Sequence, residues 1–220
     1  MKIKHIINLH KGFTFFVILG LMFLYQNFTI APWVYLALHG TYGFLWLLKD
    51  KIYPDAQWEQ QIPLWLSPIV FLVIGLYWVA PFLLISSGSE PAPPLIAFAI
   101  AINIIGVFLH YGSDAQKYFT LKYRQGLITE GFFARCRNTN YLGEIFIYTG
   151  FALLAQHWLP FLILGLFVAA VFLPNMRKKD TSLSRYPEFE AYKANSGLIL
   201  PQLFPLNNSD SPATTNRQPN

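Results

Sequence analysis

Long apolar runs constrain the fold of this 220-residue chain more than any other feature of its sequence. A helix needs about 20 mostly apolar residues to cross the hydrocarbon core of a bilayer, which is about 30 Å thick. Six runs approach that length: residues 13–31, 32–48, 63–86, 93–111, 141–156 and 158–174. The sequence therefore predicts an all-α, polytopic integral membrane protein with about six transmembrane helices and a cytosolic loop and tail.

Composition excludes several other classes of protein. Charged residues make up 12% of the chain and aromatic residues 17%, whereas a disordered chain has much charge and few aromatics. The net charge of +5 is dispersed among apolar runs, so we do not expect a nucleic-acid partner. Cys136 is the single cysteine, which excludes an intramolecular disulfide framework and a cysteine-based zinc site.

The positions of the basic residues predict the orientation in the membrane. If the N-terminus is cytosolic and the chain crosses six times, the cytosolic pieces are residues 1–12, 49–62, 112–140 and 175–220. These four pieces contain all 16 Lys and Arg residues, as the positive-inside rule requires. We therefore expect both termini in the cytosol, with the protein in a bacterial inner membrane or the endoplasmic reticulum.

The chain divides into three parts within one predicted membrane domain. Residues 1–94 are apolar helices with little polar sequence between them, and residues 95–205 combine helices with polar, basic and aromatic stretches. Residues 206–220 are mostly short and polar, a composition that predicts a disordered tail. The soluble nucleotide-binding and hydrolase motifs, among them G-x-G-x-x-G and the Walker lysine loop, are absent.

Residues 112–144 carry the most informative group of side chains. Five cations lie within this stretch, namely Lys117, Lys122, Arg124, Arg135 and Arg137. Such a cluster suits a ligand with several phosphates, because charge-assisted hydrogen bonds to phosphate are strong. Asn140 and Tyr141 offer an amide and a phenol for orienting a planar ligand, and Glu144 follows one helical turn later. The alternative is a positive-inside loop with a patch for anionic lipids, which explains the cations but not the Asn-Tyr-x-Gly-Glu group.

This stretch resembles the C-terminal domain of the steroid 5-alpha-reductase-like family of membrane enzymes. The matching pattern is Q-K-Y-x-x-L-K followed by G-L-I-T-x-G-x-F-x-R-x-R-N-x-N-Y-x-G-E, and its R-x-x-N-Y-x-G-acid core is also similar to a stretch of the sterol C14- and delta-7-reductases. The tail resembles the family at Asp180, Tyr186-Pro187, Tyr192 and Leu200-Pro201. The resemblance covers residues 95–205.

The resemblance implies a dinucleotide pocket at the cytosolic mouth of a helical bundle, with NADPH as the cofactor. Phosphate or adenosine would face Lys117, Lys122 and Arg124. The pocket wall would include Arg135, Arg137, Asn140 and Tyr141. Glu144 would approach the nicotinamide, and three tail residues would complete the cofactor site: Asp180, Tyr186 and Tyr192.

The chain departs from the reductase pattern at three points. Asn138 stands where the sterol reductases usually have His, and Met176 stands where they have Arg. The first four apolar segments contain no carboxylate, so the resemblance does not assign a proton donor.

Three functions follow from these patterns. The first is an NADPH-dependent reductase of a lipophilic enone or alkene, steroid-like or isoprenoid-like, that enters from the bilayer. The second is an S-adenosylmethionine-dependent methyltransferase of the isoprenylcysteine carboxyl methyltransferase type, whose usual motif R-H-P-x-Y-x-G reads R-N-T-N-Y-L-G here. The third is a non-catalytic membrane protein with a relict pocket.

Overall fold

The computed structural model describes residues 1–204 and confirms the all-α prediction. Within this range nine α-helices form and no β-strand does; the only β-type pairing consists of two isolated bridges. The helices are α1 Ile3–Leu24, α2 Ile30–Ile52, α3 Ser67–Gly75, α4 Val79–Ser87, α5 Pro93–Tyr123, α6 Thr139–Ala155, α7 Trp158–Phe167, α8 Leu173–Leu183 and α9 Phe189–Ala194. The disordered tail predicted for residues 206–220 lies outside the described residues.

Short irregular turns join some of these helices into longer rods. The 3₁₀ turn Leu76–Trp78 connects α3 to α4, and the π-helical segment Val168–Phe172 connects α7 to α8. Four rods are long and apolar enough to cross a bilayer: Ile3–Leu24, Leu64–Ser87, Pro93–Tyr123 and Trp158–Leu183. The chain is therefore an all-α polytopic membrane protein. That α2 and the 17-residue α6 also cross, giving six spans, stays a prediction.

Several helices extend beyond the apolar runs that predict them. Helix α1 begins at Ile3 and not near residue 13, so residues 1–12 are not a loop and Lys11 lies inside a helix. Helix α5 continues to Tyr123, and the last rod ends at Leu183. The bounds differ because hydropathy detects only the apolar part of a helix. The backbone hydrogen bonds of a helix continue equally well where the side chains are polar.

The N-terminal residues 1–4 and the connection 53–63 meet at one end of the bundle, which we name the basic end. The Met1 amino group donates to the Ile62 carbonyl at 2.9 Å, and Lys2 and Lys4 both pair with Glu59. The two lysine hydrogen bonds lower the pKa of the Glu59 carboxyl to about 2. This pairing thus holds the N-terminus across the 53–63 connection at neutral pH, and the pairing weakens only as the pH falls toward that value.

Helices α5 and α6 approach each other closely because glycines face the partner backbone. A Cβ atom at Gly143 would lie 2.5 Å from the His110 backbone nitrogen and 2.6 Å from the Gly106 carbonyl oxygen. A Cβ at Gly150 would lie 2.8 Å from the Ala99 carbonyl oxygen. Small residues allow such contact between membrane helices, where van der Waals packing replaces the hydrophobic driving force. The contact fixes the start of α6, whose Asn140 carbonyl lies 3.0 Å from His110 Nδ1.

We expect Gly143→Ala to lower the thermal stability of the detergent-solubilised protein. The added methyl would collide with the α5 backbone, and overpacking of this kind costs about 1–3 kcal/mol. The matched control is Gly20→Ala in α1, where a Cβ meets no atom within 4 Å. The control should leave the melting temperature unchanged or raise it slightly, because alanine is the better helix former. Equal melting temperatures for both variants would contradict the close α5–α6 packing.

Candidate functional site

An apolar cavity of about 340 Å³ opens among α1, α3, α6 and the last rod. Its wall is mostly aliphatic and aromatic, and it includes a few polar groups. The lining residues are Ile3, Ile7, Lys11, Trp46, Trp58, Ile69, Val70, Val73, Ile74, Tyr77, Tyr141, Glu144, Tyr148, Phe167, Val171, Phe172 and Asn175. A concave apolar site with few convergent polar groups is typical of a small-molecule pocket.

Lys11 is the most unusual group in the apolar cavity. It is 5% exposed, its Nζ donates to Tyr148 Oη at 2.8 Å, and the same atom lies 4.2 Å from the centre of the Tyr42 ring. No carboxylate of residues 1–204 lies within 4.0 Å of this Nζ. A buried cation without a counter-ion costs several kcal/mol, so a charge placed here indicates a functional role.

The packing of α2 against α1 explains why Lys11 can occupy this position. A Cβ atom at Gly43 would overlap the Lys11 carbonyl oxygen, so only glycine lets the two backbones touch at this turn. Tyr42, the neighbouring residue on α2, then lies beneath the ammonium group. Cation–π contact replaces part of the hydration that Lys11 loses on burial.

Glu144 is the carboxylate of the apolar cavity. It lies one helical turn before Tyr148 on α6, so both side chains reach the same wall. Within residues 1–204, Glu144 makes no side-chain hydrogen bond and no ion pair, and it lies farther than 4.0 Å from Lys11 Nζ. The cavity therefore offers an ammonium, a carboxylate and a phenol to a ligand.

A second cavity, which has a volume of about 540 Å³ and a more polar wall than the first, adjoins it at the basic end, and we name it the polar cavity. The two cavities share four residues, which we name the junction: Ile3, Trp58, Tyr141 and Asn175. Beyond the junction the wall is polar and contains three lysines. These remaining residues are Asp55, Gln57, Gln60, Lys117, Asn140, Lys178, Lys179, Ser182 and Leu183. A lipophilic ligand and a charged one could thus lie end to end across the junction.

The three lysines of the polar cavity differ in their partners. Lys117 Nζ lies 2.9 Å from Asp55 Oδ2; burial raises the pKa of the Asp55 carboxyl, but the charge and hydrogen bond of Lys117 outweigh burial and hold it below its usual value. Lys179 Nζ donates to the Arg137 carbonyl at 2.6 Å and to Asn138 Oδ1 at 3.2 Å. Lys178 is exposed, and like Lys179 it has no carboxylate within 4.0 Å among residues 1–204.

Arg137 and Asp180, both predicted to contact a cofactor, bind each other. Arg137 Nε lies 3.2 Å from both Asp180 carboxylate oxygens, and Nη2 lies 3.1 Å from Oδ2. Arg137 Nη1 also donates to the backbone carbonyls of Lys193 and Ser196. The Arg137 side chain is 7% exposed, so this ion pair fastens the tail and α8 to the loop before α6.

The two tail tyrosines predicted to contact the cofactor are Tyr186 and Tyr192. Tyr192 Oη donates to the Phe133 carbonyl at 2.8 Å, and burial raises the pKa of this phenol to about 12. A small cavity of about 130 Å³ includes Tyr186 and Tyr192 in its wall, together with Arg137, Lys117 and Lys179.

Four of the five predicted cations do not line the polar cavity, namely Arg137, described above, and Lys122, Arg124 and Arg135. Arg124 pairs with Glu130 at 2.8 Å on the surface, and Lys122 lies over the Tyr123 ring. Arg135 is exposed, and its carbonyl accepts from the Gly197 and Gln202 amides. Of the predicted residues, the polar cavity includes Lys117, Asn140 and Tyr141, while Tyr141 and Glu144 line the apolar cavity.

Sequence reasoning missed Lys11, Tyr148, Lys178 and Lys179. Because the first apolar run begins at residue 13, the sequence-based prediction assigns Lys11 to the preceding cytosolic segment. A helix signal extended to residue 3 would have shown a charge inside a membrane helix, which is a functional candidate by default. Tyr148 follows Glu144 by four residues, so the helical repeat already placed both on one face.

Comparison with known proteins assigns the family. A family described as "Protein of unknown function (DUF1295)" matches residues 49–196. The chain belongs to the DUF1295 family. DUF1295 is a steroid 5-alpha-reductase-like family, so the resemblance in the 112–144 stretch is confirmed at family level.

One curated relative and no solved structure matches this DUF1295 member. An uncharacterized protein of Schizosaccharomyces pombe is 51% identical over 39 residues, which cover 18% of this chain and 14% of the relative. The matched stretch thus spans about one seventh of that relative's length. No solved structure is similar enough to match.

We expect Arg137→Ala to release the tail and lower the stability of the protein. Removing one partner of a buried ion pair leaves the other charge uncompensated, at a cost of about 3–5 kcal/mol. Limited proteolysis should then cut residues 184–204 faster than in the unchanged protein. Arg135→Ala is the control, because Arg135 lies two residues away and its side chain is exposed. The tail of this variant should be cut at the same rate as that of the unchanged protein. Equal cleavage of both variants would show that the ion pair does not hold the tail.

Proposed function

We propose that this protein is a membrane-embedded, NADPH-dependent reductase of a lipophilic enone or alkene, steroid-like or isoprenoid-like. The observation that carries the proposal is the junction, where an apolar cavity meets a lysine-rich polar cavity. A reductase of this kind must hold a water-soluble dinucleotide against a membrane-soluble substrate. Membership in a steroid 5-alpha-reductase-like family supports an enzyme. The resemblance of the R-x-x-N-Y-x-G-acid motif to sterol C14- and delta-7-reductases favours a reduction.

The residues of the polar cavity fit the cofactor. Lys178 and Lys179 lack carboxylate partners among residues 1–204, and Lys117 shares the wall with them. Ammonium groups that are not neutralised by protein carboxylates suit phosphate oxygens. NADPH, when bound, supplies a hydride. In this proposal Lys178 and Lys179 hold its phosphates, beside the Lys117–Asp55 pair, and the amides of Asn140 and Asn175 orient its other end near the junction.

The apolar cavity fits a lipophilic substrate that arrives from the bilayer. Its wall of isoleucine, valine and aromatic side chains offers burial worth about 25 cal/mol per Å² of apolar surface. Tyr141 belongs to both cavities, and its ring packs at a tilt against Phe172 with the ring centroids 4.8 Å apart. Its phenol therefore lies where substrate and cofactor would meet.

A methyltransferase using S-adenosylmethionine is the alternative. That cofactor carries a positive sulfonium and no phosphate, so three lysines in the polar cavity disfavour it. Asn138 and Thr139 also stand where the methyltransferase motif has His and Pro. The basic end would face the cytosol in either case, since both cofactors are cytosolic.

The first test is a titration of detergent-solubilised protein with NADPH and, separately, with S-adenosylmethionine. We expect saturable NADPH binding that weakens with added salt, because phosphate contacts by lysine are screened. Saturable binding of S-adenosylmethionine without an NADPH signal would replace the reductase by the methyltransferase. Binding of neither cofactor would contradict both enzyme hypotheses and support a non-catalytic membrane protein.

We expect Lys178→Ala to weaken NADPH binding about tenfold, which corresponds to the loss of one charge-assisted hydrogen bond. Lys178 is exposed and makes no ion pair in the described chain, so its removal should not affect the melting temperature. Arg177→Ala is the matched control, because Arg177 is exposed, adjacent and absent from the wall of the polar cavity. Equal NADPH affinity in both variants would exclude the polar cavity as the phosphate site.

A further inference from the structure

We infer that Tyr148 is a catalytic acid of the apolar cavity and that Lys11 positions the phenol oxygen and supplies a positive charge beside it, so that the pair binds a substrate oxygen that becomes negative during the reaction. The inference rests on the proposed reductase function and assigns a proton donor that neither the sequence motifs nor the family match supplies. It concerns helices α1 and α6, outside the cofactor-facing polar cavity.

The geometry of the pair suits an acid. Lys11 Nζ donates to Tyr148 Oη at 2.8 Å, which leaves the phenol hydrogen free to point elsewhere. Both residues line the apolar cavity, and the Tyr77 ring stacks on the Tyr148 ring with centroids 3.7 Å apart. Stacking fixes the plane of the phenol, and the ammonium fixes its oxygen. Tyr148 can therefore donate a hydrogen bond to a ligand without first rearranging.

The sign of the charge selects the chemistry. An ammonium in a low-dielectric site stabilises negative charge that develops nearby and destabilises positive charge. Protonation of an isolated alkene produces a carbocation, which Lys11 would oppose. Electron flow onto an oxygen conjugated with the double bond produces negative charge, which Lys11 favours. The pair thus points to a substrate whose double bond is conjugated with an oxygen.

The proton transfers balance as follows. As an electron pair from the hydride addition moves through the conjugated system onto the substrate oxygen, the Tyr148 O–H bond breaks and a new O–H bond forms on the substrate. The Tyr148 phenolate then takes a proton from Lys11 Nζ, which becomes a neutral amine. The resulting enol returns to the ketone by moving its proton from oxygen to carbon. One proton taken up from bulk solution restores Lys11 in each cycle, so that each turnover adds one hydride and one proton to the substrate.

Infrared spectroscopy of a bound ketone tests the pair without cofactor. The probes are carvone and 4-cholesten-3-one, two enones of different size labelled with ¹³C at the carbonyl, and limonene is the counterpart of carvone that lacks the oxygen. We expect the carbonyl stretch of an enone bound to the unchanged protein to lie at lower wavenumber than in detergent alone. Tyr148→Phe and Lys11→Met should each remove the shift and weaken enone binding by roughly 10- to 100-fold, while limonene binding stays unchanged.

Tyr35→Phe is the matched control. It also removes a buried phenol hydroxyl, whose hydrogen-bond partner among residues 1–204 is His39, but Tyr35 does not line the apolar cavity. This control should keep the carbonyl shift. If Lys11→Met does not fold, Tyr148→Phe decides alone, because it retains the ring that stacks on Tyr77.

The outcomes separate this inference from the proposed function. The absence of a shift for both enones, or a shift that persists in Tyr148→Phe, overturns the inference even if NADPH binds. A shift that depends on Tyr148 and Lys11 in a protein that does not bind NADPH supports the oxygen site and refutes the proposed cofactor.

Discussion

A charge enclosed by apolar helices must be paired, or its energetic cost indicates a function, and this constraint organises the half of the molecule at the basic end. Lys49 meets Asp114 at 2.9 Å with both side chains buried, and Arg137 meets Asp180. These pairs join α2 to α5 and the tail to the bundle. Lys11 is different, because it has a phenol and aromatic rings around it in place of a carboxylate. The paired charges therefore account for structure, whereas Lys11, which has no carboxylate within 4.0 Å among residues 1–204, indicates chemistry.

Close helix packing transmits this arrangement to the cavities. Gly143 lets α6 touch the backbone of α5, and Gly43 lets α2 touch α1 at Lys11. The first contact sets where Tyr141, Glu144 and Tyr148 emerge on one wall, and the second places Lys11 opposite them. A change of register by one residue would rotate α6 by about 100° and remove all three side chains from the cavity. The glycines are thus as important to the site as the polar groups.

Much of the fold could be predicted from hydropathy, and part of the site from the motif. The rods follow the apolar runs, and the 112–144 stretch yielded the family together with Asn140, Tyr141 and Glu144, which line the cavities. The five cations were predicted as one group because they are close in sequence. In the structure they separate, since α5 ends at Tyr123 and the loop carries Arg124 and Arg135 to the surface. Proximity along the chain does not determine which face a loop side chain occupies.

The sequence by itself determined that this chain forms long apolar helices, because a bilayer accepts only segments that satisfy their own backbone hydrogen bonds. It also determined the family through a local motif. Only the tertiary structure decided which polar groups share a cavity. Lys11 and Tyr148 are 137 residues apart, and their contact depends on the packing of α1, α2 and α6 together. No local pattern records such a contact, because it follows from how the helices pack.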